Sequence, residues 1–142
     1  MASFNKFQDF AEQLAKGIHQ LHAAGHTLKV YLSNAAPSAS ADAVKVDLAE
    51  ITMTNETTHG AGGGDIQNDY TETAGVGTLT GTDVTFLATG ALGPFRYVVL
   101  YNDTPTDPAD PLIGWWDYGS EITLNAGESF TVNFGASILT IE

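Results

Sequence analysis

A chain of 142 residues with 43% hydrophobic content has enough apolar side chain for one domain with a buried core, and little more. Only 15% of its residues are charged, yet the formal net charge is −12, from 17 acidic against 5 basic side chains. A surface that acidic repels phosphate backbones, so direct nucleic-acid binding is not expected. The absence of cysteine rules out disulfides and thiolate metal sites.

The first 22 residues carry the one helical pattern. Phe4, Phe7, Ala11, Leu14, Ile18 and Leu21 recur at spacings of three and four, which predicts an amphipathic helix over about 4–22. Ser3 is placed to cap it, Gly17 weakens its middle, and Gly25 sits where it should stop. This segment lacks the apolar core of a signal peptide. No run in the chain approaches the roughly 20 apolar residues that span a membrane, so a cytoplasmically made protein with no membrane partner is expected.

From Leu28 the period becomes two. Leu28, Val30 and Leu32 alternate with Lys29, Tyr31 and Ser33, which describes a half-buried strand. Residues 34–41 read as a loop. Val44, Val46 and Leu48 alternate again, and Ile51 and Met53 continue the pattern after a bulge at Ala49 and Glu50. Residues 55–75 hold almost nothing apolar except Ile66 and Tyr70, and so predict a long exposed loop. Short strands follow near 76–80, 83–89, 95–101, 112–118, 121–124, 129–134 and 137–141, with residues 121–134 as a hairpin around Asn125–Gly127. About nine strands, one helix and no βαβ spacing predict a mainly β protein, an antiparallel sandwich or jelly roll over 28–142 with the helix attached, in a single domain over 1–142.

Little in this pattern carries reactive chemistry. There is no G-x-S-x-G elbow or catalytic cysteine. His19, His22 and His26 are spaced H-x2-H-x3-H, which resembles metal-ligand spacing. His26 follows Gly25, however, where the helix should have ended, so solvated histidines on the polar face are the expectation. Asp65, Asn68 and Asp69, and Asp103, Asp107 and Asp110, could offer oxygen ligands to Ca²⁺. They lack EF-hand spacing and sit where acidic residues commonly make turns. No pair of carboxylates is singled out for glycoside hydrolysis. The expectation is therefore a non-enzymatic protein with no cofactor, metal or catalytic residue. Trp115, Trp116 and Tyr118 form an aromatic strand in which Trp116 and Tyr118 share one side with Gly114, while Trp115 shares the other with Ile113 and Asp117. Arg96, isolated among acids, is expected to pair with a carboxylate.

Three stretches carry a resemblance: FNKFQDFAEQLAKGIHQL (4–21), TLKVYLSNAAPSASADAVKVDLAEI (27–51), and GPFRYVVLYND (93–103) with DPLIGWWDYGSEITLNAGESFTV (110–132). Together they resemble small structural proteins of tailed bacteriophages, most closely capsid decoration or cement proteins, and the resemblance is weakest over 55–75. It implies a β-sandwich that binds and stabilises the capsid shell, located in the virion. It also implies the major capsid protein or other virion proteins as partners, and a homo-oligomer. On that reading Phe4, Phe7, Leu14, Trp115, Trp116 and Tyr118 are the expected interface residues. A tail or head–tail joining component is the alternative within the virion. A carbohydrate-binding module using an exposed tryptophan is the alternative outside it.

Overall fold

The computed structural model describes residues 2–142. Its elements are β1 (Phe4–Lys6), α1 (Gln8–Ala15), β2 (Leu28–Ser33), a 3-10 turn at Lys45–Asp47, β3 (Gly64–Asp65), β4 (Asp69–Thr73), β5 (Val76–Thr80), β6 (Val84–Leu87), β7 (Leu92–Asn102), β8 (Leu112–Leu124), β9 (Ser129–Val132) and β10 (Leu139–Ile141). A five-stranded sheet in the order β1-β8-β7-β2-β3 faces two small sheets, β10-β5-β4 and β6-β9. All of these pairs are antiparallel. The main core lies between the layers, where Val30, Leu32, Val98, Leu100 and Trp116 of the large sheet meet Leu79, Phe86, Val132 and Phe134. The fold is thus mainly β, antiparallel and sandwich-like, with one short N-terminal helix, as the periodicity predicts.

The second face of the large sheet is covered as well. Tyr31, Val99, Tyr101 and Leu112 are buried there together with Phe7 and Leu48. A strap formed by residues 34–63 closes over them, held by the tyrosine hydroxyls: Tyr31 donates to Leu48 O at 2.7 Å and Tyr101 to Gly62 O at 2.6 Å. Lys45, paired with Glu50 at 3.3 Å, lies 4.6 Å from the centre of the Tyr31 ring. β2 is therefore buried on both faces rather than half-buried: Tyr31 and Ser33 are as inaccessible as Val30.

The helix is shorter than the pattern implies at both ends. Phe4–Lys6 is extended and pairs with Gly114–Trp116 of β8. At the other end Gly17 takes φ +78°, Ile18 N–H bonds Gln13 O at 2.9 Å, and Gly17 N–H bonds Leu14 O at 3.1 Å. These two reversed bonds are the Schellman closure that a left-handed glycine permits. The Gly17 that looked like a weak spot inside a helix is its stop. A Cβ at Gly17 would meet nothing within 4 Å, so Gly17→Ala tests backbone conformation alone. A loss of about 1 kcal/mol in urea unfolding is expected, with the fold unchanged.

Four further expectations are corrected. Residues 44–48 are not a strand: the Asp47 carboxylate accepts Ala43 and Val44 N–H at 3.0 and 3.1 Å, winding a 3-10 turn that leaves Val46 90% exposed. Residues 55–75 are not a plain exposed loop, since they contain β3 and β4 and bury Glu56, Ile66 and Asn68. The turn at Asn125–Gly127 does not close a hairpin, because β9 pairs with β6, Phe130 opposite Phe86, and the end of β8 pairs with the start of β7. The turn hands the chain from one layer to the other. The two strands expected at 112–118 and 121–124 are the single long strand β8.

Candidate functional site

The six residues expected at an interface fall into two groups. Phe7 is completely inaccessible, and Trp116 is 3% exposed. Trp116 stacks edge-on against Phe4 at 5.0 Å and lies 5.5 Å from Phe134, inside the main core. Phe4, Leu14, Trp115 and Tyr118 are half-buried. Trp115 leans on Phe7 at 4.6 Å on the strap side of the sheet, and Tyr118 on Phe130 at 5.1 Å. The parity of the strand also differs from simple alternation. A register shift opposite Leu100 and Tyr101 turns Ile113 into the main core with Trp116, so Trp115 shares its face with Leu112 instead. Across the sheet on β7, Arg96 makes the expected pair with this strand, its Nε and Nη2 reaching Asp117 at 2.8 and 3.1 Å. That bidentate contact, with Gly119 N–H, holds the Asp117 carboxyl below its usual range.

The histidines behave differently from solvated side chains on a helix. His22 is exposed, but His19 is 6% exposed and His26 is half-buried. Both are held by Asn102, the fully buried last residue of β7. Thr104 N–H donates to Asn102 Oδ1 at 3.2 Å, which turns Nδ2 towards the rings. Nδ2 donates to Nδ1 of His19 at 3.2 Å and of His26 at 3.0 Å. With Nδ1 accepting, each neutral ring carries its hydrogen on Nε2. Burial, with a smaller contribution from the adjacent His26, lowers the His19 pKa from 6.5 to about 4.

That depression fixes a pH dependence. Unfolded His19 takes up a proton near 6.5, whereas folded His19 does so only near 4. Its contribution is complete above the first value and is lost as pH falls towards the second. Between pH 7 and 4.5 wild type should lose about 2–3 kcal/mol more than a His19→Phe variant, which keeps a ring without a titrating group. Urea unfolding of both at the two pH values measures the difference.

The acidic stretches serve as turn chemistry. Asp65 Oδ1 accepts Gln67 N–H at 2.7 Å, and Asp69 Oδ1 accepts Tyr70 N–H at 2.8 Å and Ala23 N–H at 3.3 Å. The Asn68 amide donates to Leu21 O at 2.7 Å and His26 O at 3.2 Å. Asp103 pairs with Lys29 at 3.0 Å. Among the described residues no group of three or more His, Asp or Glu side chains is gathered as a metal-holding cluster.

Glu56 is not among the residues that the sequence pattern singles out. Its carboxylate is 5% exposed and accepts four backbone N–H groups: Thr58 at 3.1 Å, His59 at 2.6 Å, Gly60 at 2.8 Å and Leu87 at 3.0 Å. Burial alone would push this carboxyl up. The four donors outweigh it and hold the pKa below 4.5. Only the isolation of one acid in a run of Thr, Asn and Gly could have drawn attention to it.

Comparison of the chain with protein-family models, curated proteins and solved structures gives no match.

Proposed function

We propose that the protein is a non-enzymatic structural component of a tailed-phage virion that binds and stabilises the capsid shell as a decoration protein. The observation that carries this reading is where the family-like stretches fall. Residues 4–21, 27–51, 93–103 and 110–132 supply β1, α1, β2, the first part of the strap, nearly all of β7, and β8 and β9, which is framework rather than a cleft of reactive groups. A compact two-layer domain with a net charge of −12 stays soluble at high copy number before it docks on a lattice. Trp115, Tyr118, Phe4 and Leu14 keep enough exposure to contact a neighbour, whereas Phe7 and Trp116 do not. Sister copies would associate through closed symmetry.

The test is localisation in a cryo-EM map of intact particles. Density on the capsid surface in numbers that scale with the lattice supports decoration. A ring of fixed copy number at the neck or tail assigns the chain to the joining apparatus instead, and absence from the particle sinks both. Deleting residues 1–22 would be a poor substitute, because Phe7 and Phe10 are core residues.

A further inference from the structure

Between α1 and β2 the chain runs through residues 18–27 with neither helix nor strand. Leu21 is the one buried apolar side chain of this connector, and His19 its one buried polar side chain. Polar contacts fasten it to the sandwich instead. The Asn68 amide reaches Leu21 O and His26 O, Ala23 N–H donates to Asp69, and Thr27 N–H donates to Thr104 Oγ1 at 2.9 Å. Asn102 holds both imidazoles. A segment with so little apolar burial belongs to the least stable part of a fold.

Asn102 Nδ2 has two hydrogens, and each is spent on the lone pair of an Nδ1. Protonating either ring turns that Nδ1 into an N–H facing the amide donor, so the attraction becomes a repulsion. The amide cannot offer its oxygen to the rings without giving up Thr104 N–H. His19 Nε2 is sealed from solvent and has no partner, so a charge on that ring would be neither paired nor hydrated. The other titratable or charged groups around the two rings are His22 on the connector, Asp69 and Tyr70 on β4, Asp65 on β3, Lys29 on β2 and Asp103 after β7. From α1 and β10 come only Phe10, Leu14 and Ile141. Lys29 and Asp103 pair with each other, Asp65 and Asp69 accept backbone N–H groups, and among the described residues no carboxylate bonds either imidazole.

We infer that Asn102 is the sensor of an acid-operated latch: it fastens the 18–27 connector through two neutral imidazoles, and in mild acid the connector swings off while the sandwich stays folded. The released connector carries Leu21 out of the main core, so acid converts a sealed corner into an exposed apolar surface. The sign follows from His19, which takes its proton near 6.5 when free and near 4 when held. The latch is therefore fully closed above the first value and loosens as pH falls towards the second. This inference does not depend on where the protein resides.

Native-state hydrogen exchange at pH 7 and 4.5 tests it, each rate taken against the unfolded chain at the same pH. Protection of the Ala23 and Thr27 amides should fall on the order of 50-fold, the ratio that the two His19 values set, while Val98 and Leu100 of β7 keep theirs. Asn102→Asp places an acceptor opposite the protonated Nδ1–H, and should reduce that fall to less than about fivefold. If that variant does not fold, His19→Phe removes the titrating ring and should reduce the fall as far. In wild type, ¹⁵N spectra of the histidines at pH 7 should show the hydrogen of both rings on Nε2. The inference is overturned if connector and β7 lose protection together, if the folded variant loses as much as wild type, or if His19 carries its hydrogen on Nδ1 at pH 7.

Discussion

Trp116→Ala is expected to cost about 3–5 kcal/mol, through lost transfer energy and the cavity left between Phe4 and Phe134. The same change at Trp115 should cost no more than about 2 kcal/mol, because that ring is already half-exposed and rests chiefly on Phe7. Urea unfolding followed by fluorescence distinguishes them: the midpoint for Trp116→Ala should fall steeply at unchanged slope, and that for Trp115→Ala modestly. Equal losses would mean that the assignment of inner and outer tryptophan is wrong. The contrast also bears on docking, since a partner that depends on Trp116 would have to unfold the N-terminal strand to reach it.

Glu56→Ala should cost about 3–4 kcal/mol, because four backbone N–H groups lose one shared acceptor and at least part of that set stays buried. Glu56→Gln keeps one acceptor oxygen and should cost about half as much. Hydrogen exchange would localise the effect, with the amides of Thr58, His59, Gly60 and Leu87 losing protection before those of β7. The carboxyl also has its own pH signature. Its folded pKa is held below 4.5, so its contribution is complete above that value and is lost as pH falls through the folded one. The His19 contribution is lost at higher pH, between 6.5 and about 4. The loss of stability with falling pH should therefore have two overlapping contributions, the one at higher pH absent in His19→Phe and the one at lower pH absent in Glu56→Gln.

Elements that rest on local periodicity were legible in the sequence. Leu28–Ser33 and Val76–Thr80 fall where the pattern puts them, and Val84, Phe86 and Ala88 do turn one face inwards. What local pattern cannot carry is the choice between two satisfied outcomes. Gly17 is tolerable inside a helix and ideal after one; here Ile18 N–H turns back to Gln13 O and ends it. Val44–Leu48 alternates like a strand, but the neighbouring backbone available to it is Asp110–Leu112 and an Asp47 side chain, which favour a turn. The face assignment of Ile113 failed on one register shift, which composition does not announce. Asn102 and Glu56 were illegible for a related reason. A single polar residue acquires its role from partners 76 and 83 residues away in one case, and from the shape of its own loop in the other.

The position of β1 has a consequence for the order of assembly. Phe4–Lys6 leaves the ribosome more than a hundred residues ahead of its partner Gly114–Trp116. Until β8 is made, the segment carrying Phe4, Phe7 and Phe10 lacks the strand that β1 pairs with. At a synthesis rate of roughly 5–20 residues per second that wait lasts several seconds, during which three phenylalanines are open to chaperones or to other nascent chains. Once joined, the same three-residue strand covers part of the outer edge of β8 and ends the large sheet where a second molecule could otherwise have added to it.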